Sequence, residues 1–190
     1  RRGVATSGDI DVLLTVTDSS NHTGVFPRVM QALLDSGLIV DHLTDHTTDA
    51  APHECATYMG FCQLRPDSRV RRLDVKLYPR GEFAFALLYF TGSDHFNRSM
   101  RLFADKKGFS LSDHGLKPVI RQRVRGKREK VHEGQSVSCD TEEQIFQFLG
   151  LQYVPPELRT GAATPVDPHT ALGVADTPKL LCNTSASNTD

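Results

Sequence analysis

The chain has 190 residues, 24% of them charged, with a net charge of −1. That length allows one core, or a core with a small satellite module, and the near-zero net charge excludes a globally basic nucleic-acid binder. No apolar run reaches membrane-spanning length, so no membrane partner is expected.

Charge is segregated along the sequence: the acidic stretch from Asp41 to Glu54 contrasts with the basic run from Arg121 to Lys130. Four cysteines, Cys55, Cys62, Cys139 and Cys182, show no C-x-x-C spacing and read as free thiols. The chain opens at Arg1-Arg2-Gly3 without a methionine, and the expectation is the C-terminal part of a longer protein.

In chain order, Asp9 to Val16 is aliphatic and β-branched and predicts a buried strand. Gly24 to Leu38 carries Val25, Val29, Leu33 and Leu34 at helical spacing, with a stop near Gly37. Ile39–Leu43 and Ala56–Leu64 read as strands, separated by a polar Thr44–Glu54 loop with the character of a surface insertion. Val70–Tyr78 is a further strand, and Pro79-Arg80-Gly81 turns the chain. Glu82–Phe90 is a strongly apolar helix. Ser93 is the expected N-cap of the next, Asp94 to Lys107, closed by Gly108.

Phe109–Val131 alternates enough for short strands, and Thr141 with Gln144 fits a capping box opening a helix that ends at Gly150. From Thr160 to Asp190 there is no aromatic residue, and Thr, Ala, Pro and Ser dominate; this tail is expected to be disordered. The fold class is therefore α+β, with a larger unit over 1–107, a small α/β module over 108–159 and a tail over 160–190.

Three aspartates carry the chemical reading. Asp9 and Asp11 in Gly8-Asp9-Ile10-Asp11 leave a strand on one side, and Asp74 sits in Arg72-Leu73-Asp74 of a later strand. If the strands are neighbours, the carboxylates converge. Clustered carboxylates repel unless cations lie between them, and hard oxygen ligands suit Mg²⁺. That is the arrangement of two-metal phosphoryl transfer. Taken alone, D-x-D reads better as a strand end or a Ca²⁺-loop fragment; the combination of G-D-x-D with a buried strand and a later R-x-D favours the metal reading.

Arg72, two residues from Asp74, can bond it or a primer phosphate. Arg2 can neutralise a triphosphate, and Gly8 permits close backbone approach. On the Asp94–Lys107 helix, Phe96, Met100 and Phe103 are spaced for the core. Asp94, Asn97 and Arg101 form a polar stripe whose donors suit minor-groove acceptors. Tyr89 and Phe90 are either a platform under a sugar or core residues. A weaker zinc reading of His42, His46, His53 and Cys55 fits none of the usual spacings.

Arg1-Arg2-Gly3 with Ser7-Gly8-Asp9-Ile10-Asp11-Val12-Leu13, Tyr58-Met59-Gly60-Phe61-Cys62-Gln63-Leu64, Arg71-Arg72-Leu73-Asp74 and Leu88-Tyr89-Phe90-Thr91-Gly92-Ser93-Asp94-His95-Phe96-Asn97-Arg98-Ser99-Met100-Arg101 resemble the X-family DNA polymerases from Arg1 to about Arg159. Asp94 resembles the beta-like branch and Arg98-Ser99-Met100 the lambda-like one, with the balance toward beta.

The resemblance implies a nucleotidyltransferase-type palm with a mixed sheet and flanking helices, followed by a module that closes over the nascent base pair. It implies Asp9, Asp11 and Asp74 as catalytic ligands of two Mg²⁺ ions, with Mn²⁺ as a substitute. By the same likeness Arg2 and Gly8 contact the triphosphate, Tyr89, Phe90, Gly92, Asp94 and Asn97 form the nucleotide pocket, and Arg72 and Arg101 contact DNA. A cis Gly92–Ser93 peptide is also implied.

The expected activity is DNA-directed, gap-filling transfer from a dNTP to a primer 3′-hydroxyl in DNA repair, by a nuclear (alternatively mitochondrial) monomer. The partners are a dNTP and primer-template or gapped DNA. The alternatives are a template-independent nucleotidyltransferase, or a non-catalytic DNA-binding fragment. The basic run 121–130 and the tail after 160 match no feature of the family, and the run reads equally as a DNA-phosphate contact or a solvated hairpin.

Overall fold

The computed structural model describes residues 1–17, 23–45 and 54–160. The first half holds β1 (Ile10–Leu14), α1 (Val25–Asp35), β2 (Ile39–His42), β3 (Ala56–Cys62) and β4 (Arg71–Leu77). These strands form one mixed sheet in the order β1-β4-β3-β2, with β1 parallel to β4 and the other pairs antiparallel. The fold class is α+β, as the sequence led one to expect.

Alternation along the strands decides what the sheet buries. In β4, Leu73, Val75 and Leu77 enter a core with Tyr58 and Cys62 of β3 and Val12 and Leu14 of β1, while Arg72, Asp74 and Lys76 take the other face. Helix α1 closes the core with Phe26 and Met30. This stripe differs from the expected Val25/Val29 phase. Gly24 caps the helix at φ 72°; Phe26 and Met30 are buried, and Val25, Leu33 and Leu34 of the expected set pack beside them.

Gly60 has a packing role in β3. A Cβ there would lie 2.0 Å from the hydroxyl of the fully buried Tyr58 and 2.7 Å from the Asp41 carbonyl. Thr44, expected to start a loose loop, is bound to β3: its hydroxyl accepts from the Met59 amide at 2.9 Å. Residues 46–53 of that loop lie outside the described residues, as do 161–190 of the expected tail.

The second half holds α2 (Phe83–Thr91), α3 (Asp94–Lys106), β5 (Phe109–Ser112), β6 (Gly115–Val124), β7 (Lys127–Glu133), α4 (Glu142–Leu149) and a 3₁₀ turn at Pro156–Leu158. Ser93 caps α3, its hydroxyl accepting from the Phe96 amide. The buried stripe of α3 is Phe96, Met100 and Ala104, and Phe103 is only partly buried, one step off the expected face. The capping box of α4 forms with a shift: Thr141 accepts from the Gln144 amide, and the Gln144 side chain accepts from the Asp140 amide at 2.7 Å. The expected short strands are an antiparallel sheet of order β5-β6-β7, with β6 ten residues long.

The expected division at residue 107 falls inside the second core, which unites α2 and α3 with β5, β6 and α4. Helix α2 is apolar all round, so it belongs to an interior. The two cores part between β4 and α2. The Tyr78 hydroxyl, just after the end of β4, donates across this boundary to Asp113 at 2.6 Å, and His114 beside it meets Glu82 at the start of α2 at 2.7 Å.

Candidate active site

Parallel pairing of β1 with β4 sets Asp11 opposite Asp74 in register. Asp74 is 6% exposed, while Asp9 and Asp11 sit at the open edge of the same sheet face. Arg72 joins them: one guanidinium nitrogen donates to Asp9 at 2.9 Å and to Asp74 at 3.2 Å. Arg72 thus ties Asp9 to Asp74, and Asp11 stands opposite Asp74 across the strand pair.

Their proximity has an electrostatic signature. Asp11 is pushed above the ordinary carboxylate range, first by desolvation against the sheet, then by the charges of Asp9 and Asp74; Arg72 and Lys76 oppose this.

Hard carboxylate oxygens on three side chains suit a divalent cation. One of them, Oδ1 of Asp74, is buried and has no hydrogen-bond partner. A buried acceptor of that kind is costly unless something completes it. As they stand, the side chains are not drawn around a single point: among the described residues no three His, Cys, Asp or Glu groups could hold a metal ion. Arg72 stands between Asp9 and Asp74 instead. Its side chain is 48% exposed, which leaves it a path to solvent.

Arg2 is half-buried ahead of this face and Gly8 is exposed. A Cβ at Gly8 would meet nothing within 4 Å, so packing does not demand glycine there.

The second group of expected site residues lies on α2 and α3. The Gly92–Ser93 peptide is cis, and Gly92 has φ 65°. Asn97 donates to the Tyr89 carbonyl at 2.7 Å, holding the start of α3 against the end of α2. Tyr89 and Phe90 stand edge to face at 5.2 Å, and Tyr89, Asn97 and Arg101 line one shallow cleft. Asp94 and Arg101 are exposed on the polar face of α3.

Lys76, which the sequence reading passed over, links the two groups: its ammonium lies 5.5 Å from the Phe90 ring centroid. The alternation Arg72, Asp74, Lys76 was the available signal. Arg1, Glu142 and Arg159 were also missed. Glu142 and Arg159 are buried, and Glu142 accepts from Arg159 at 2.5 Å and from Arg1 at 2.8 Å. Arg1 also donates to the Thr91 hydroxyl, beside Gly92. This network fixes the N-terminal segment to the α2–α3 turn. Of the weak zinc set, His42 is engaged with the Tyr58 hydroxyl at 3.0 Å; His46 and His53 lie outside the described residues.

This arrangement has clear relatives. The DNA polymerase beta palm family matches residues 1–80, and the DNA polymerase beta thumb family matches 86–160. A DNA polymerase lambda from Rattus norvegicus is 42% identical over 160 residues, covering 84% of this chain and 27% of the relative. A DNA polymerase lambda from Arabidopsis thaliana is 34% identical over 163 residues, covering 84% and 30%. A DNA-directed DNA/RNA polymerase mu from Homo sapiens is 34% identical over 183 residues, covering 84% and 35%. The sequence balance tilted toward the beta branch, whereas these relatives carry lambda and mu names. The chain spans about a third or less of their length. Over its palm and thumb, the chain belongs to the X family of DNA polymerases.

Proposed function

We propose that this chain carries the nucleotidyl-transfer centre of a template-directed DNA polymerase that fills gaps in repair. The observation that supports it most is the in-register pairing of Asp11 with Asp74, with Asp9 reached by the same arginine. Asp9, Asp11 and Asp74 would hold the divalent cations, which we infer to be Mg²⁺. Bound there, such ions neutralise the triphosphate and make a primer hydroxyl more acidic.

The protein's own groups account for the rest. The primer 3′-oxygen bonds to the α-phosphorus as the α–β bridging bond breaks and pyrophosphate leaves. Asp74 would accept the hydroxyl proton, a role its unpartnered buried oxygen supports. Arg72 neutralises the carboxylates in the resting state and is free to turn to a primer phosphate. Arg2 and the open space at Gly8 suit the triphosphate. Tyr89, Phe90, Gly92, Asp94 and Asn97 receive the nucleotide. Arg101 meets the nascent pair through acceptors that all base pairs share. A nuclear address belongs to the same reading.

The test is extension of a primer across a one-nucleotide gap, run with and without the template strand. Incorporation of the complementary nucleotide alone supports the reading. Equal incorporation without template contradicts templating and turns the assignment to a template-independent transferase. No dNTP binding in the presence of Mg²⁺ contradicts the catalytic reading altogether.

A further inference from the structure

We propose that the β6–β7 hairpin is a second nucleic-acid contact, a clamp on the sugar-phosphate backbone of the duplex lying along α3. The inference rests on the polymerase reading above and extends it to a surface outside the catalytic face.

Composition is the first argument. Between Arg121 and Lys130 the cations are Arg121, Arg123, Arg125, Lys127, Arg128 and Lys130, against the single acid Glu129. A chain whose net charge is −1 thus concentrates a strong positive charge on one ribbon.

Register is the second. Arg121 pairs across the strands with Lys130, and Arg123 with Arg128. Like charges set directly opposite destabilise an antiparallel pair, and these two rungs flank the Gln122–Glu129 rung, so a polyanion laid along the ribbon would relieve them. At the base of the ribbon the structure supplies its own acids: Arg121 is ion-paired with Asp105, and Lys130 with Glu133 at 3.0 Å. Toward the tip the backbone register pairs Arg123 with Arg128 and Val124 with Lys127. The turn itself is Arg125-Gly126, with φ 51° and 82°. The first position of such a turn ordinarily selects Asn, Asp or Gly. Here an exposed arginine occupies it.

Placement is the third. Asn97, Arg101 and Asp105 follow one another at four-residue steps along α3, on one face of the helix. The Arg121–Asp105 ion pair therefore roots the hairpin at the end of the polar stripe expected to meet base pairs, about 6 Å of helix rise beyond Arg101. A duplex along that stripe brings its phosphates to the ribbon. The ligand class is a polyanionic backbone read without sequence preference, since arginine and lysine contacts to phosphate carry none.

The experiment measures binding of fluorescein-labelled, one-nucleotide-gapped DNA by anisotropy between about 50 and 200 mM KCl. The proteins are the full chain, the triple variant Arg125→Gln/Lys127→Gln/Arg128→Gln, and the single variant Arg125→Glu. Each lost phosphate contact lowers the slope of log K against log salt by about 0.9, so the triple variant is expected to lose about 2 to 3 from its slope. Arg125→Glu, which alters one exposed side chain, is expected to bind several-fold more weakly, and it decides the matter should the triple variant fold poorly. Turnover at saturating DNA stays unchanged in both. A wild-type slope in the variants overturns the clamp and assigns the basic surface to some other anionic partner. Failure of the unaltered chain to bind gapped DNA overturns the polymerase reading itself, and the clamp with it.

Discussion

Replacing Glu142 by glutamine keeps the side chain's shape and removes its charge from the interior. Glu142 is 4% exposed and Arg159 is 0% exposed, whereas the Arg1 side chain retains 40% of its exposure. Arg1 can therefore rehydrate, and Arg159 cannot. Its guanidinium keeps the Val154 carbonyl, 2.9 Å from Nε, and the faces of Phe96, Phe146 and Tyr153 at 5.3–5.6 Å. Those contacts hold the charge but do not neutralise it.

Breaking a buried pair from one side costs about 3–5 kcal/mol. The retained amide oxygen and the three rings place Glu142→Gln near about 3 kcal/mol, a fall in Tm of about 6–12 °C for a domain of this size. Urea unfolding measures it directly. The paired replacement Glu142→Leu/Arg159→Met removes both charges together and is expected within about 1 kcal/mol of the starting protein. A loss below about 1 kcal/mol for Glu142→Gln alone, or a double variant worse than the single, refutes the reasoning that an uncompensated Arg159 dominates the cost.

Two further expectations concern the fold. Gly60→Ala sets a methyl 2.6 Å from the Tyr58 ring carbon and 2.7 Å from a backbone oxygen, which neither group can yield without moving β2 or β3; a cost of about 3 kcal/mol is expected in urea unfolding, and a loss under about 1 kcal/mol contradicts the packing. The second is alkaline sensitivity. Burial raises the thiols of Cys55 and Cys139 and the phenols of Tyr58, Tyr78 and Tyr153. These groups hold their protons in the folded chain at pH values where the unfolded chain has released them. Stability is therefore complete below about pH 8 and declines as pH rises through the ordinary thiol and phenol range, about 8.5–10. The urea midpoint should fall steadily between pH 8 and 10.5, and site-resolved alkylation of Cys55 should stay slow until above its ordinary range. A flat midpoint or fast alkylation at pH 7.5 contradicts this.

Much of the site was legible because strands alternate with a fixed period. Arg72 and Asp74 are two positions apart, as are Asp9 and Asp11, and that alone puts each pair on one face. Only the pairing of β1 with β4 was a spatial bet, and the register of Asp11 with Asp74 is what it required. Caps were equally local: Ser93 and Thr141 declare their helices within three residues.

Helix phase was not legible in α1, whose apolar residues span a wide arc, and the packing buries Phe26 and Met30 most deeply. Helix α2, apolar on every side, offers no period by which to assign it to a core, so the boundary expected at residue 107 missed where the cores part. The Arg1–Glu142–Arg159 network spans the chain from end to end of the described region, and no local pattern announces a partner 141 residues away.

The central claim is that Asp9, Asp11 and Asp74 act together on a phosphoryl group. Its most direct test is single-turnover incorporation into a one-nucleotide gap by Asp74→Ala, in Mg²⁺, with DNA affinity measured on the same protein. A fall of about 1,000-fold in rate, about 4 kcal/mol in the barrier, is expected, with DNA binding changed less than about threefold. An unaltered rate with intact DNA binding contradicts the account.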